Sequence, residues 1–406
     1  MKFSRRTAME VLGAGALAPV AAMPLGAAQV PAPPKEGKDT PKIALGMFDS
    51  GGPGGRGAAG SGGTGSGGRG EARVSAGARR IKQLGVDHVL GGGGRLPWTE
   101  ENLNSIMAPW KEAGVSVSNL MINLSPDILY GRKGSKRDED IENIKKSIVA
   151  SGQVGLPVVE YNFYAHRAME GYFEEIDTER GHSGWTGFDY ELVQTADRPY
   201  QTRPAEKGMK FKDLPPLPEE GAHNLDEMWN NITYFLKAVI PTAEKANVRL
   251  ALHPNDPPAP VSRGSQQIMG TVSGWKKLIS IVDSPANGIT FDCGVTREMG
   301  EDPVAVCRYF LSRDRINHVH FRNVLVKKPY ERYTEVWIDE GLNNMFAVMK
   351  ELVKGKYSHL IYPEHPRRLD YDAEHGTILG YPGGGSYAAI AYNVGYTRAM
   401  MQAAMS

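Results

Sequence analysis

From residue 42 onward, short runs rich in β-branched and other apolar residues alternate with stretches whose apolar positions recur every three or four residues. The strand-like runs are IALGMFD (43–49), DHVLGG (87–92), VSVSNLMINL (115–124), LPVVEYNF (156–163), VRLALHP (248–254), GITFDCG (288–294), INHVHFRNV (316–324) and LIYPEHP (360–366). Between them, positions such as Ile141, Ile144, Ile148 and Val149, or Met345, Met349, Leu352 and Val353, mark amphipathic helices. Eight such strands alternating with helices predict an α/β fold, a single (β/α)8 TIM barrel over residues 42–406. An open doubly wound sheet would want a Gly-rich turn leading straight from the first strand (42–49) into the first helix (72–84), and a long insert separates the two here. Residues 164–222 carry little periodicity and many Gly, Pro and charged residues, the mark of a lid or binding loop.

Composition changes this picture at the N-terminal end. The chain has 406 residues and 48 glycines, many of them in the block GGPGGRGAAGSGGTGSGGRG at residues 51–70. That block lacks the Gly-Lys-Ser/Thr ending of a phosphate-binding loop and has too little apolar surface to offset its ordering entropy, so it reads as a flexible insertion after the first strand. Residues 1–28 place Ser4, Arg5 and Arg6 before a short Ala/Gly-rich apolar run interrupted by Pro19 and Pro24. They resemble a twin-arginine export signal and predict a periplasmic location, with no stable membrane span; residues 29–41 follow as a leader. The 47 basic against 46 acidic side chains leave a net charge of +1, so no overall field gathers nucleic acid. Two cysteines do not make a disulfide framework. Cys307 shares an apolar helical stripe with Val304 and Leu311 and reads as a core thiol carried away from Cys293.

In a barrel of this kind the C-terminal strand ends form the site. Four consecutive runs close on metal-competent side chains: His253 in LHPNDPP, Cys293 in FDCG, His320 in HVHFRN and Glu364 in PEHP. Imidazole, thiolate and carboxylate together suit a divalent transition ion better than Mg²⁺ or Ca²⁺. His318 and His320 share a strand face, and His320, nearer the end, is the better placed to reach an ion.

The segments LALHPNDPP, FDCG, HVHFRN, the PEH triplet and YNF (161–163) resemble the mannonate dehydratase family of xylose-isomerase-like barrels, with the likeness running from about residue 72 to 404. The resemblance implies a Mn²⁺ or Fe²⁺ ion held by His253, Cys293, His320 and Glu364, the last standing where the family has Asp. It also implies dehydration of a sugar acid, D-mannonate to 2-keto-3-deoxy-D-gluconate, by loss of the proton next to the carboxylate and of the next carbon's hydroxyl. His365 and Tyr387 are the candidate acid and base, in either order. Arg322 is the candidate partner of the substrate carboxylate, and Asn162 and Asn323 are candidates to orient hydroxyls. This chain departs from the family at Glu364 and Pro366, at residues 332–337, where Glu335 is retained without the family's histidines, and at residues 382–387. A sugar isomerase or epimerase on the same barrel, and a non-catalytic exported carbohydrate-binding barrel, stand as alternatives; a homo-oligomer is left open.

Overall fold

Runs that are apolar on both faces can be satisfied only where both faces are covered, and all eight fold as parallel strands of one closed barrel in a computed structural model of the protein. The structure describes residues 34–47, 69–168, 171–175, 178–191, 221–375 and 381–406; the expected export signal and nearly all of the Gly-rich block lie outside them. In chain order the strands are β1 (Lys42–Gly46), β2 (His88–Gly92), β3 (Ser116–Ile122), β4 (Val158–Tyr161), β5 (Tyr172–Glu175), β6 (Trp185–Asp189) and β7 (Arg249–Leu252). They continue as β8 (Val261–Ser262), β9 (Ser265–Gln266), β10 (Asn287–Asp292), β11 (Ile316–His320), β12 (Asn323–Lys328), β13 (Arg332–Val336) and β14 (Leu360–Tyr362). The barrel closes in the order β1, β14, β11, β10, β7, β4, β3, β2.

The first helix spans Arg69–Gln83 and so begins inside the stretch read as insertion. Local signals set several helix starts. The helix Leu225–Ala246 opens on a capping box, in which Asn224 accepts from the Glu227 amide and Glu227 reaches back to the Asn224 amide. Asp292 caps the short helix Cys293–Glu298, and Asp302 caps Pro303–Leu311. Helix and barrel residues share one apolar cluster that includes Trp98, Trp275, Phe235, Phe291 and Phe310. Among the described residues, no helix is long and apolar enough to cross a membrane.

Two excursions depart from the regular alternation. The run 316–324 is not one strand: β11 ends at His320, and a new strand, β12, starts at Asn323. β12 and β13 join β6 and β5 in a four-stranded antiparallel sheet of order β12-β13-β6-β5. The stretch expected to be a lid or loop thus supplies two strands. Because β12 leaves the barrel just after His320, this sheet stands at the C-terminal end of the barrel, with its own small core of Ala168, Tyr172, Phe188, Ala259 and Tyr333.

The opposite end carries a stability prediction. His359, just before β14, is held near pH 4 by burial and the nearby Arg249 cation. Its folded value lies below the ordinary one of about 6.5, so the unfolded chain binds the extra proton first. Its contribution is complete above about pH 6.5 and is lost as pH falls toward 4. Urea midpoints at pH 7 and 5 should therefore drop less for His359→Gln than for the wild type, by at most about 1.4 kcal/mol per pH unit. Equal drops would remove His359 from the acid response.

Candidate metal and active site

The barrel register brings the ends of neighbouring strands to one level. Asp292 pairs with His320, and His320 with Tyr362, two residues before Glu364. His253 follows β7 directly, its amide donating to Tyr161 O on β4. The Nδ1 of His253 lies 2.7 Å from the Pro254 carbonyl, which can only accept, so Nδ1 carries the proton and the Nε2 lone pair faces the site.

His253 Nε2 lies 3.1 Å from His320 Nδ1. The same His320 Nδ1 is 2.9 Å from Glu364 Oε1 and 3.8 Å from Asp292 Oδ2. Glu364 Oε1 is buried, with His320 Nδ1 and Arg322 Nε (3.3 Å) as its ion-pair partners. On the far side of the ring, His320 Nε2 is 3.7 Å from Glu160 Oε1. Glu160 is held in turn by Asn119 Nδ2 (2.9 Å) and Thr290 Oγ1 (2.8 Å). Among the described residues, Glu160, His253 and His320 form one group that could hold a metal ion, and Asp292, His320 and Glu364 another. Buried carboxylates facing two imidazoles fit a divalent cation.

Arg322 closes one side of this cluster. Its Nε is 3.1 Å from Asp292 Oδ2 and 3.3 Å from Glu364 Oε1, Nη1 is 2.7 Å from Glu298 Oε1 and 3.6 Å from Glu335 Oε1, and Nη2 is 3.5 Å from Asp256 Oδ2. The guanidinium lies flat on Gly294, where a Cβ would come within 2.5 Å of Nη1. That close approach accounts for the glycine in FDCG. Asp256 also accepts from Tyr172 (2.5 Å) and pairs with Arg167 at 3.2 Å.

His365 sits beyond Glu364 with a left-handed backbone, φ 49°. Its Nδ1 is 2.8 Å from Glu335 Oε2, and its Nε2 is 3.5 Å from Glu364 Oε2. Arg367 steadies Glu335 through Nη2 at 3.0 Å, and the Tyr381 ring packs on His365 at 5.1 Å between centroids. Asp256, Glu335 and His365 form a third group of ligand-type side chains.

The charges are strongly biased. Burial alone would raise the Glu364 carboxyl, but His320, His365 and Arg322 hold it well below the usual carboxylate range. Burial also opposes protonation of His365, yet Glu335 and Glu364 lift it above its ordinary value. Glu335 is held down to about 2, against its burial, chiefly by His365 and Arg322. His253 is lowered by burial and by the neighbouring His320 ring.

Of the residues singled out from the sequence, His253, His320, Glu364, Arg322 and His365 come together. Cys293 belongs to none of the ligand groups: it follows the last strand residue, opens the next helix and packs in the apolar core. Tyr387 opens the last helix, and its hydroxyl donates to the Arg80 carbonyl at 2.8 Å, on the first helix. Asn323 spends its amide on the Ile338 and Asn343 carbonyls, both at 3.3 Å, and accepts from the Asn343 amide at 3.0 Å. Asn162 is half-buried just past β4, with Nδ2 3.5 Å from Met121 Sδ. His318 lies deep in the barrel, with both ring nitrogens unpaired, and burial pushes it down to about 4.

Sequence reasoning did not single out Glu160, Asp256, Asp292, Glu298 or Arg367. Glu160 had a signal, an acidic residue inside the apolar run LPVVEYNF, and an ionisable group in a fully buried strand needs a partner. The others depend on which way a residue at a strand end or loop turns.

The fold and this cluster define a (β/α)8 barrel built around a candidate divalent-metal site. Residues 70–406 match the family model of D-mannonate dehydratase (UxuA), and the chain belongs to that family, the hydro-lyases that dehydrate mannonate. It is 30% identical over 288 residues to a mannonate dehydratase of Streptococcus equi subsp. zooepidemicus, covering 67% of this chain and 76% of the relative. It is 29% identical over 337 residues to that of Thermotoga maritima, covering 74% and 88%. The crystal structure of mannonate dehydratase from Streptococcus suis serotype 2 superimposes with a TM-score of 0.67 at 28% identity, over 81% of this chain and 90% of that one. A xylose-isomerase-like TIM barrel protein from Mycobacterium smegmatis shares the fold at 14% identity and a TM-score of 0.53, over 92% and 100%.

Proposed function

We propose that this protein removes water from D-mannonate to give 2-keto-3-deoxy-D-gluconate, using a Mn²⁺ or Fe²⁺ ion. The observation that carries the reading is the convergence of His253 Nε2, His320 Nδ1 and the buried Glu364 Oε1 beside the His365–Glu335 pair, in a chain of this family. Two imidazoles and a carboxylate would hold the ion, which supplies Lewis acidity toward the substrate's oxygens when bound.

The chain's own groups divide the remaining work. Glu335 holds the Nδ1 proton of His365, leaving Nε2 as the atom that exchanges a proton with substrate. With its basicity raised by Glu335 and Glu364, His365 suits the role of acid, protonating the departing hydroxyl. Arg322, enclosed by carboxylates, orients Asp292 and Glu364 instead of meeting the substrate carboxylate as its sequence context suggested. Asn162, half-buried beyond β4, is left to orient a hydroxyl.

The test is a product assay. Incubating the Mn²⁺-loaded protein with D-mannonate should yield a 2-keto-3-deoxy acid. Turnover of ketoses without that product would replace this reading with a sugar isomerase or epimerase.

A further inference from the structure

The family resemblance assigns a thiolate, Cys293, to the metal, and the tertiary structure turns a different side chain toward it. We propose that Asp292 takes the ligand position at the end of β10, so that the ion is held by two imidazoles and two carboxylates with no sulfur. This rests on the metal-dependent reading above and refines its ligand set.

Three independent features carry it. First, the parallel register sets Asp292 directly beside His320, and Asp292 Oδ2, His320 and Glu364 offer ligand atoms within 4.8 Å of one another. Second, the carboxylate is pre-aimed. Oδ1 accepts the Val295 amide at 2.8 Å as the cap of the next helix, which leaves Oδ2 pointing at Arg322 Nε (3.1 Å) and His320 Nδ1 (3.8 Å). Third, Cys293 has already entered that helix. Its side chain is completely buried in the apolar cluster.

Glu160 then has a defined place as well. It faces the far nitrogen of His320 at 3.7 Å and is tied to Asn119 and Thr290, the arrangement of a carboxylate that orients a metal-bound imidazole. A donor set of imidazole and carboxylate is harder than one with thiolate, so it moves preference toward Mn²⁺ and Fe²⁺ and away from thiophilic ions. It also removes the oxidisable ligand from the centre.

Cobalt reports on sulfur directly, because a thiolate ligand adds an intense near-ultraviolet charge-transfer band to the Co²⁺ spectrum. The wild-type protein loaded with Co²⁺ should show ligand-field bands without that feature. Cys293→Ala should bind one Co²⁺ with the same spectrum, and Asp292→Asn, which keeps a capping oxygen for Val295, should bind at least about tenfold more weakly with altered ligand-field bands. A charge-transfer band in the wild type that disappears in Cys293→Ala would overturn the assignment, as would unchanged affinity and spectrum in Asp292→Asn. If the wild type takes up no divalent ion, the assignment and the metal-dependent reading fall together. If it binds Co²⁺ without sulfur and yields no 2-keto-3-deoxy acid, the assignment stands and only the substrate reading falls.

Discussion

Glu364→Gln is expected to lower kcat/KM for D-mannonate by about three orders of magnitude and to leave the purified protein largely free of metal. Glu364 Oε1 is buried and lies 2.9 Å from His320 Nδ1, so an amide there keeps the shape and removes the charge. The same carboxylate holds the charge balance of the pocket, since His320, His365 and Arg322 all face it. Neutralising it leaves those groups with one counter-ion fewer in a site where an unpaired charge is costly. Metal content by emission spectroscopy, with steady-state rates at saturating Mn²⁺, measures both effects. Full metal occupancy together with wild-type rates would remove Glu364 from the centre.

His365→Asn is expected to lower kcat by about 10²–10⁴-fold while KM and metal content change little. Asn is the informative replacement because His365 has a φ of 49°, and Asn tolerates the left-handed region better than most residues. The sign of the pH dependence follows from the raised basicity of His365. An acid is active while protonated, so the wild-type rate should fall as pH rises through the folded value. That alkaline limb should vanish in His365→Asn. Glu335→Gln should move it to lower pH, because Glu335 is the leading partner that raises His365. An alkaline limb unchanged in both variants would show that His365 does not donate the proton.

The barrel was legible along the chain because its signal is local. A parallel strand covered on both faces must be a short continuous apolar run, and each of the eight runs became a barrel strand. His253, His320, Glu364 and His365 were legible for a related reason, since the end of an apolar run marks where the barrel opens. The antiparallel sheet was less visible. β5 and β6 lie in a stretch of weak periodicity, and their partners β12 and β13 are far along the chain, so their pairing is written in no local pattern.

By itself, then, the sequence determined the architecture and the end of the barrel where chemistry collects, because alternation of apolar runs and helical periods is read residue by residue. Only the tertiary structure separated Asp292 from Cys293, adjacent residues of which one ends a strand facing the site and the other opens a helix facing the core. It also set Tyr387 against the first helix and drew Glu160, Asp256, Glu298 and Glu335 around Arg322 and the histidines. A residue's type says what chemistry it can do. Where its side chain points depends on strand register and on the turn that follows, and those are set by partners distant in the chain.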